Sequence, residues 1–181
     1  DVDGIKTSVT SSTSLVTYSG AGFNGGSGIS TTTGVLSPLP RVITISRSSA
    51  ANQYSVLPIT VLGKRGGEVI TELLTPANDD GNDTLVTTNA FDVVSSITIP
   101  ANAGTGGAYT IGYRDISAPI GDRFTAVMPH ASGNLFVQYN ELGTAVTDTI
   151  PAIADHIYPI APYRVVTGGA GTAVGVTVFL P

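Results

Sequence analysis

Few side chains in this sequence are equipped for bond-making chemistry. There are two histidines, no cysteine, 13 acidic and 8 basic residues. His130 stands two residues before Ser132 in the run HASGN, and Asp155 precedes His156. A hydrolytic relay needs a hydroxyl, an imidazole and a carboxylate within hydrogen-bond reach of one another. Ser132 lacks the G-x-S-x-G elbow that presents a nucleophile on a strained turn, and Asp155 is only a sequence neighbour of His156. Neither histidine has a second at metal-ligand spacing. Glu68, Glu72, Asp92 and Glu141 could supply the carboxylate pair of a glycosidase. Glu68 and Glu72 share one face of a predicted strand, where solvated edge charges explain them with fewer assumptions.

Two further motifs resolve the same way. Asn78-Asp79-Asp80-Gly81-Asn82-Asp83 concentrates oxygen ligands of the kind calcium prefers. It misses the EF-hand register, and Asx-Gly clusters are ordinary turn chemistry, so a turn is the preferred reading. Gly20-Ala21-Gly22-Phe23-Asn24-Gly25 fits G-x-G-x-x-G by letter. That pattern acts by setting a helix N-terminus against a pyrophosphate, and the GSGISTTTG that follows cannot open a helix. No cofactor, metal or catalytic residue is therefore expected.

Composition narrows the partners. Charged residues are 12% of the chain, about half the usual share, so its polar surface must come from Thr, Ser, Asn and Gly. The net charge is −5 and the cations are scattered, whereas nucleic-acid binding needs them clustered. Apolar runs stop short of the roughly 20 residues that cross a bilayer as a helix. Neither nucleic acid nor membrane is expected as a partner.

The elements that would hold these residues are strands. β-Branched runs bounded by Gly, Pro and Asn recur throughout, and no window carries a helical apolar stripe. Strands are predicted at 14–18, 41–46, 55–62, 68–74, 84–88, 92–99, 108–113, 123–128, 134–139, 163–167 and 173–180. In the hairpin across 55–74, Leu57, Ile59 and Val61 alternate, as do Val69, Thr71 and Leu73. Gly63–Gly67 forms the expected turn, with Lys64 and Arg65 at its exposed tip. Pro58 suits an edge or a bulge. The fold class is all-β: antiparallel β-sandwich or jelly-roll-like modules with little or no helix. The predicted organisation is an extended N-terminal arm over 1–14, a β-sandwich over 15–116 and a second small β module over 117–181. The second module could pack with the first as one body. At the C-terminus, Val174, Val176, Val178 and Leu180 would share one sheet face.

One stretch carries a family resemblance. It runs from Arg41-Val42-Ile43-Thr44-Ile45 through Ile59-Thr60-Val61-Leu62-Gly63, Glu68, Thr71-Glu72 and Asn78 to Thr87-Thr88-Asn89-Ala90-Phe91-Asp92-Val93-Val94-Ser95-Ser96-Ile97-Thr98-Ile99. This resembles the β-sandwich modules of tailed-bacteriophage virion structural proteins, as do Asp3-Gly4-Ile5 and Tyr163-Arg164-Val165-Val166-Thr167-Gly168. At the hairpin tip this chain has Lys64-Arg65-Gly66-Gly67 where those modules use an Asp-containing turn. The resemblance implies a non-enzymatic capsid decoration, or cement, protein on the outer head surface. Its partners would be the major capsid protein or other virion proteins, and it would act as a homo-oligomer on the particle. Expected partner contacts are Asp1, Val2, Asp3, Ile5 and Lys6 of the arm with Lys64 and Arg65 of the hairpin tip. The alternative is a tail or head-fibre component, or adhesin-like module, binding host glycan through Tyr18, Phe23, Tyr109, Tyr113, Tyr139, Tyr158 or Tyr163.

Overall fold

A computed structural model describes residues 4–23, 34, 39–117, 124–138, 147–160, 162, 164–166 and 176–179. The chain divides into two compact units, Asp1–Tyr113 and Arg114–Pro181. The strands are β1 (Lys6–Thr10), β2 (Val16–Tyr18), β3 (Arg41–Arg47), β4 (Ile59–Arg65), β5 (Glu68–Leu74), β6 (Thr84–Phe91), β7 (Val93–Ile99), β8 (Ala108–Ser117), β9 (Ala126–Pro129), β10 (Gly133–Gln138), β11 (Thr147–Ala152), β12 (Arg164–Val166) and β13 (Val176–Phe179). The only helical element among the described residues is one 3-10 turn, Gly20–Gly22. The all-β fold is as the β-branched runs dictate.

The first unit is a sandwich of two sheets. One contains β1, β8, β3 and β6; the other has the order β2-β7-β4-β5. Both are antiparallel, and their facing sides supply one core. Ile43 and Ile45 of β3, Phe91 of β6, and Tyr109 and Ile111 of β8 come from one sheet. Ile59 and Val61 of β4, Leu74 of β5, and Val94, Ile97 and Ile99 of β7 come from the other. Alternation of side chains across each strand puts these residues on one face. Phe23, in the glycine motif, is a fully buried member of this core. The motif's first residues, Gly20–Gly22, form the 3-10 turn, and Asn24 and Gly25 lie outside the described residues.

The N-terminal segment is extended but not a free arm. From Lys6 it pairs antiparallel with β8, Lys6 opposite Ile111 and Val9 opposite Tyr109. The Ile5 amide donates to the Ile111 carbonyl at 3.0 Å and the Ser11 amide to the Gly107 carbonyl at 2.8 Å. Ile5 is fully buried, and the Lys6 ammonium lies 5.0 Å from the centroid of the Tyr18 ring. Buried Ile5, the partly buried Val9 and a run of paired amides hold a segment whose remaining described side chains are mostly polar.

The hairpin also departs from expectation. Its turn is the two residues Gly66-Gly67, with φ of 57° and 86°, since Arg65 pairs directly with Glu68. Consecutive positive φ values favour glycine and suit a two-residue β-hairpin. Gly63 is therefore a strand residue. A Cβ there would lie 2.2 Å from the Val93 carbonyl oxygen and 2.5 Å from the Phe91 ring, so the absent side chain lets the Phe91 ring in. The inward face of β4 is Ile59, Val61, Gly63 and Arg65. On β5 it is Ile70, Glu72 and Leu74, so Val69, Thr71 and Leu73 point outward. The strand starts after Pro58, and Leu57 is an exposed residue outside it.

In the second unit, β10 lies between β11 and β12, and residues Ile116-Ser117 of β8 pair with β12. β13 pairs antiparallel with β9, Val176 opposite Pro129 and Phe179 opposite Ala126. Its buried side chains include Phe124, Val127, Leu135, Val137 and Val165. Val174 and Leu180 lie outside the described residues, as do 118–123 just after the predicted module boundary.

Candidate functional site

The outer face of the β2-β7-β4-β5 sheet is built from cross-strand rows fixed by register. Thr17, Thr98, Thr60 and Leu73 form one row; Ser96, Leu62 and Thr71 form the next; Val93, Lys64 and Val69 the third. The hydroxyls of Thr17 and Thr98 are 3.0 Å apart, confirming a shared face. Lys64 is the one charge in these rows, and Val69 and Leu73 are 65% and 60% exposed. Neutral hydroxyls cost less to desolvate than charges. The face is suited to lie against another protein.

Of the expected partner contacts that are described, three of four are buried. Asp1, Val2 and Asp3 lie outside the described residues. Ile5 and Lys6 are buried. Arg65 is 6% exposed, because it follows the inward register of Ile59, Val61 and Gly63. Among the described contact residues only Lys64 stands at the surface. The Lys64 carbonyl accepts the Asp92 amide at 2.9 Å, and an Asp92 carboxylate oxygen accepts the Gly66 amide, which fixes the turn.

Of the carboxylates considered for glycoside chemistry, Glu72 has a structural task. Its oxygens accept the Thr88 amide, the Asn89 amide at 3.0 Å and the Asn89 side-chain amide at 3.1 Å. It thereby satisfies donors on β6, a strand at the edge of the other sheet. Glu141 lies outside the described residues.

The Asn78–Asp83 loop is stitched to β3 and the segment after it. The Asp83 carboxylate accepts Arg47 Nε at 2.6 Å and Arg47 Nη2 at 2.7 Å, a bidentate pair. Arg47 Nη2 also donates to the Asn78 carbonyl at 3.1 Å, and the guanidinium lies 4.9 Å from the Tyr54 centroid. Backbone carbonyls of Asp79 and Asp80 accept the Tyr54 and Ala50 amides. The loop's strongest anionic ligand is thus matched by a buried cation. Among the described residues no group of three or more His, Asp or Glu side chains is placed to hold a metal.

Next to it is a tyrosine cluster. The rings of Tyr54 and Tyr109 meet edge to face at 5.2 Å. Tyr54 donates within reach of the Ser48 and Ala108 carbonyls, at 2.8 Å and 2.9 Å. The Tyr109 hydroxyl donates to Asn102 Oδ1 at 2.6 Å. Burial disfavours the phenolate and pushes the Tyr109 pKa up to about 12.

The histidines give the arrangement closest to a reaction centre, and sequence spacing did not reveal its third member. His130 Nε2 is 2.9 Å from the Thr177 hydroxyl and Nδ1 is 3.3 Å from Asp155 Oδ1. Strand pairing of β9 with β13 places Thr177 opposite Met128, two residues before His130. Hydroxyl, imidazole and carboxylate stand in the order of a hydrolytic relay. Such a relay also needs amide donors converging on a developing oxyanion. The described amides on the Asp155 side are engaged: Asp155 N with the Pro129 carbonyl, Ala154 N with Ser132 Oγ, His156 N with the Ile153 carbonyl. Ser132, the sequence candidate, is thus an acceptor for a turn amide. His156 stacks edge to face on Tyr158 at 4.8 Å.

Of the aromatic residues considered for glycan binding, Phe23 and Tyr109 are core residues, and Tyr18, Tyr113 and Tyr158 are half-buried. Tyr139 and Tyr163 lie outside the described residues. No described helix is long and apolar enough to cross a membrane. In comparisons with known proteins, no family model, curated protein or solved structure matches the chain.

Proposed function

We propose that the chain is a non-enzymatic structural protein of a tailed-bacteriophage virion, seated on the outer surface of the head as a decoration protein. Its partners are the major capsid protein or other virion proteins, and it is present on the particle in many copies. The observation that carries the proposal is the outer sheet face formed by Thr17, Thr98, Thr60, Leu62, Thr71, Leu73 and Val69, with Lys64 as its one charge. The resemblance to virion β-sandwich modules along 41–99 gives that face its partner.

Physically, such a protein works by covering area. A specific contact needs roughly 1,000 Å² or more of total buried surface, and repetition over a symmetric shell adds avidity to a modest single contact. Hydroxyl-rich strands suit this: they exchange water for protein hydrogen bonds without stranding a charge.

The test is copy number on purified particles, by quantitative protein staining against the major capsid protein. A shell protein is expected at copies on the order of hundreds, following icosahedral repetition. A tail or fibre component would be present at about a dozen to a few dozen under the lower symmetry of a tail. That result would replace the decoration reading with the fibre one.

A further inference from the structure

We propose that two copies of this chain join through β5, edge to edge and antiparallel, about a two-fold axis at Thr71. The inference concerns the isolated protein and does not depend on the particle.

The first argument is which backbone groups are free. In a two-residue hairpin the residues flanking the turn form a hydrogen-bonded pair, and such pairs alternate along the ladder. Arg65 and Glu68 are that pair, so Glu68, Ile70, Glu72 and Leu74 bond to β4. Val69, Thr71 and Leu73 then direct their amides and carbonyls away from it, to the open side of the sheet. The Lys64 carbonyl corroborates the phase: opposite Val69, it accepts the Asp92 amide on the side away from β5.

The second argument is that several other described edge strands are short, irregular, capped or interrupted by proline, and β5 is none of these. β2 has three residues. β1 carries a register irregularity between Lys6 and Val9. β6 has the Thr88 and Asn89 amides capped by Glu72. β11 contains Pro151. These are devices that block edge pairing. β5 is a regular seven-residue strand with neither bulge nor proline, and its edge-directed residues are Val, Thr and Leu.

The third argument selects a second copy as the occupant. Centred on Thr71, antiparallel pairing sets Val69 opposite Leu73 of the partner, Thr71 opposite Thr71 of the partner, and Leu73 opposite Val69 of the partner. All three free backbone positions meet free positions, and apolar side chains meet apolar ones. Shifting the register by two residues one way opposes Glu68 to Glu72; shifting it the other way opposes Glu72 to itself. Like charges directly opposite are destabilising. Carboxylate placement therefore selects the Thr71-centred register, and Ile70 then faces Glu72 of the partner across a strand pair.

The chain has no cysteine, which makes single-cysteine variants a clean ruler. Residues facing each other across a hydrogen-bonded antiparallel pair have Cα atoms about 5.5 Å apart, within disulfide range. Under mild oxidation Thr71→Cys should give covalent dimer at least about tenfold faster than Val69→Cys or Leu73→Cys alone, with the Val69→Cys/Leu73→Cys double variant restored to the fast rate. Equal rates for all single variants, or fastest linkage through Val69 or Leu73 alone, would overturn the register. Sedimentation of the unmodified chain gives an independent readout. Dimer mass is expected, and Thr71→Pro, which deletes one edge-directed amide, should shift it to monomer with unchanged circular dichroism. A monomer at all accessible concentrations would overturn the proposal.

Discussion

Two polar clusters in this molecule use the same chemistry to opposite effect. In the first unit Arg47 and Asp83 form a bidentate pair at 2.6 Å and 2.7 Å, with the guanidinium buried and set against Tyr54. In the second unit His130 and Asp155 meet at 3.3 Å with both side chains largely in water. Burial decides what each can do. A desolvated charge must be matched or the fold loses it, so Arg47 is bound to the Asn78–Asp83 loop whatever else happens. An exposed pair is screened and competes with water, so His130 and Asp155 contribute little to the fold. A motif rich in potential ligands became structure, and two residues 25 apart in the sequence became an open pair.

The strongest way to break the comparison is Arg47→Ala. It leaves Asp83 without its buried partner and should cost about 3–5 kcal/mol in denaturant unfolding. A loss comparable to that of an exposed pair would mean that the loop is not held as described.

Next in size is Glu72→Ala, which uncaps the Thr88 and Asn89 amides. A loss of about 1–3 kcal/mol is expected, measured the same way. No change would mean that water serves those amides equally well.

Alkaline titration sharpens the contrast between the units. Burial raises the Tyr109 pKa from 10.0 to about 12, so the folded state holds this proton more tightly than the unfolded chain does. The associated stability is complete below pH 10.0 and is lost as pH rises toward about 12. Tyr109→Phe should flatten that alkaline limb while costing stability at neutral pH through the loss of the Asn102 bond. An unchanged limb would place the sensitivity elsewhere.

The smallest effect belongs to His130→Ala, expected within about 0.5 kcal/mol of the parent. A larger loss would show that the open cluster is coupled to the packing of β9 and β13.

How much of this was legible in the sequence varies with the physics of each segment. β5 was predicted with its observed bounds, because EVITELL is bracketed by glycine and proline. Its facing was not legible. Val69 and Leu73 alternate as well as Ile70 and Leu74 do, so apolar pattern alone fits either face, and the tight Gly66-Gly67 turn sets the phase. The same turn carried Arg65 inward against the expectation of a cationic tip. β1 went unseen because KTSVT has a single aliphatic residue; backbone pairing with β8 and the burial of Ile5 secure it instead. β11 has no predicted counterpart for a related reason: TDTIPA holds a single large aliphatic residue and shows no apolar alternation. The Thr177–His130–Asp155 alignment depends on β9–β13 pairing, a contact between distant segments that local spacing does not encode. The bidentate closure of Asn78–Asp83 by Arg47 is likewise a product of the β3–β6 pairing.

The central claim is that this molecule acts by laying a nearly uncharged sheet face on repeated copies of another protein. Imaging the intact virus particle tests it most directly, by locating density that fits the described sandwich. Expected is density repeated over the outer head with the β2-β7-β4-β5 face toward the shell. Density confined to the tail, that face turned to solvent in every copy, or a particle without the protein would contradict it.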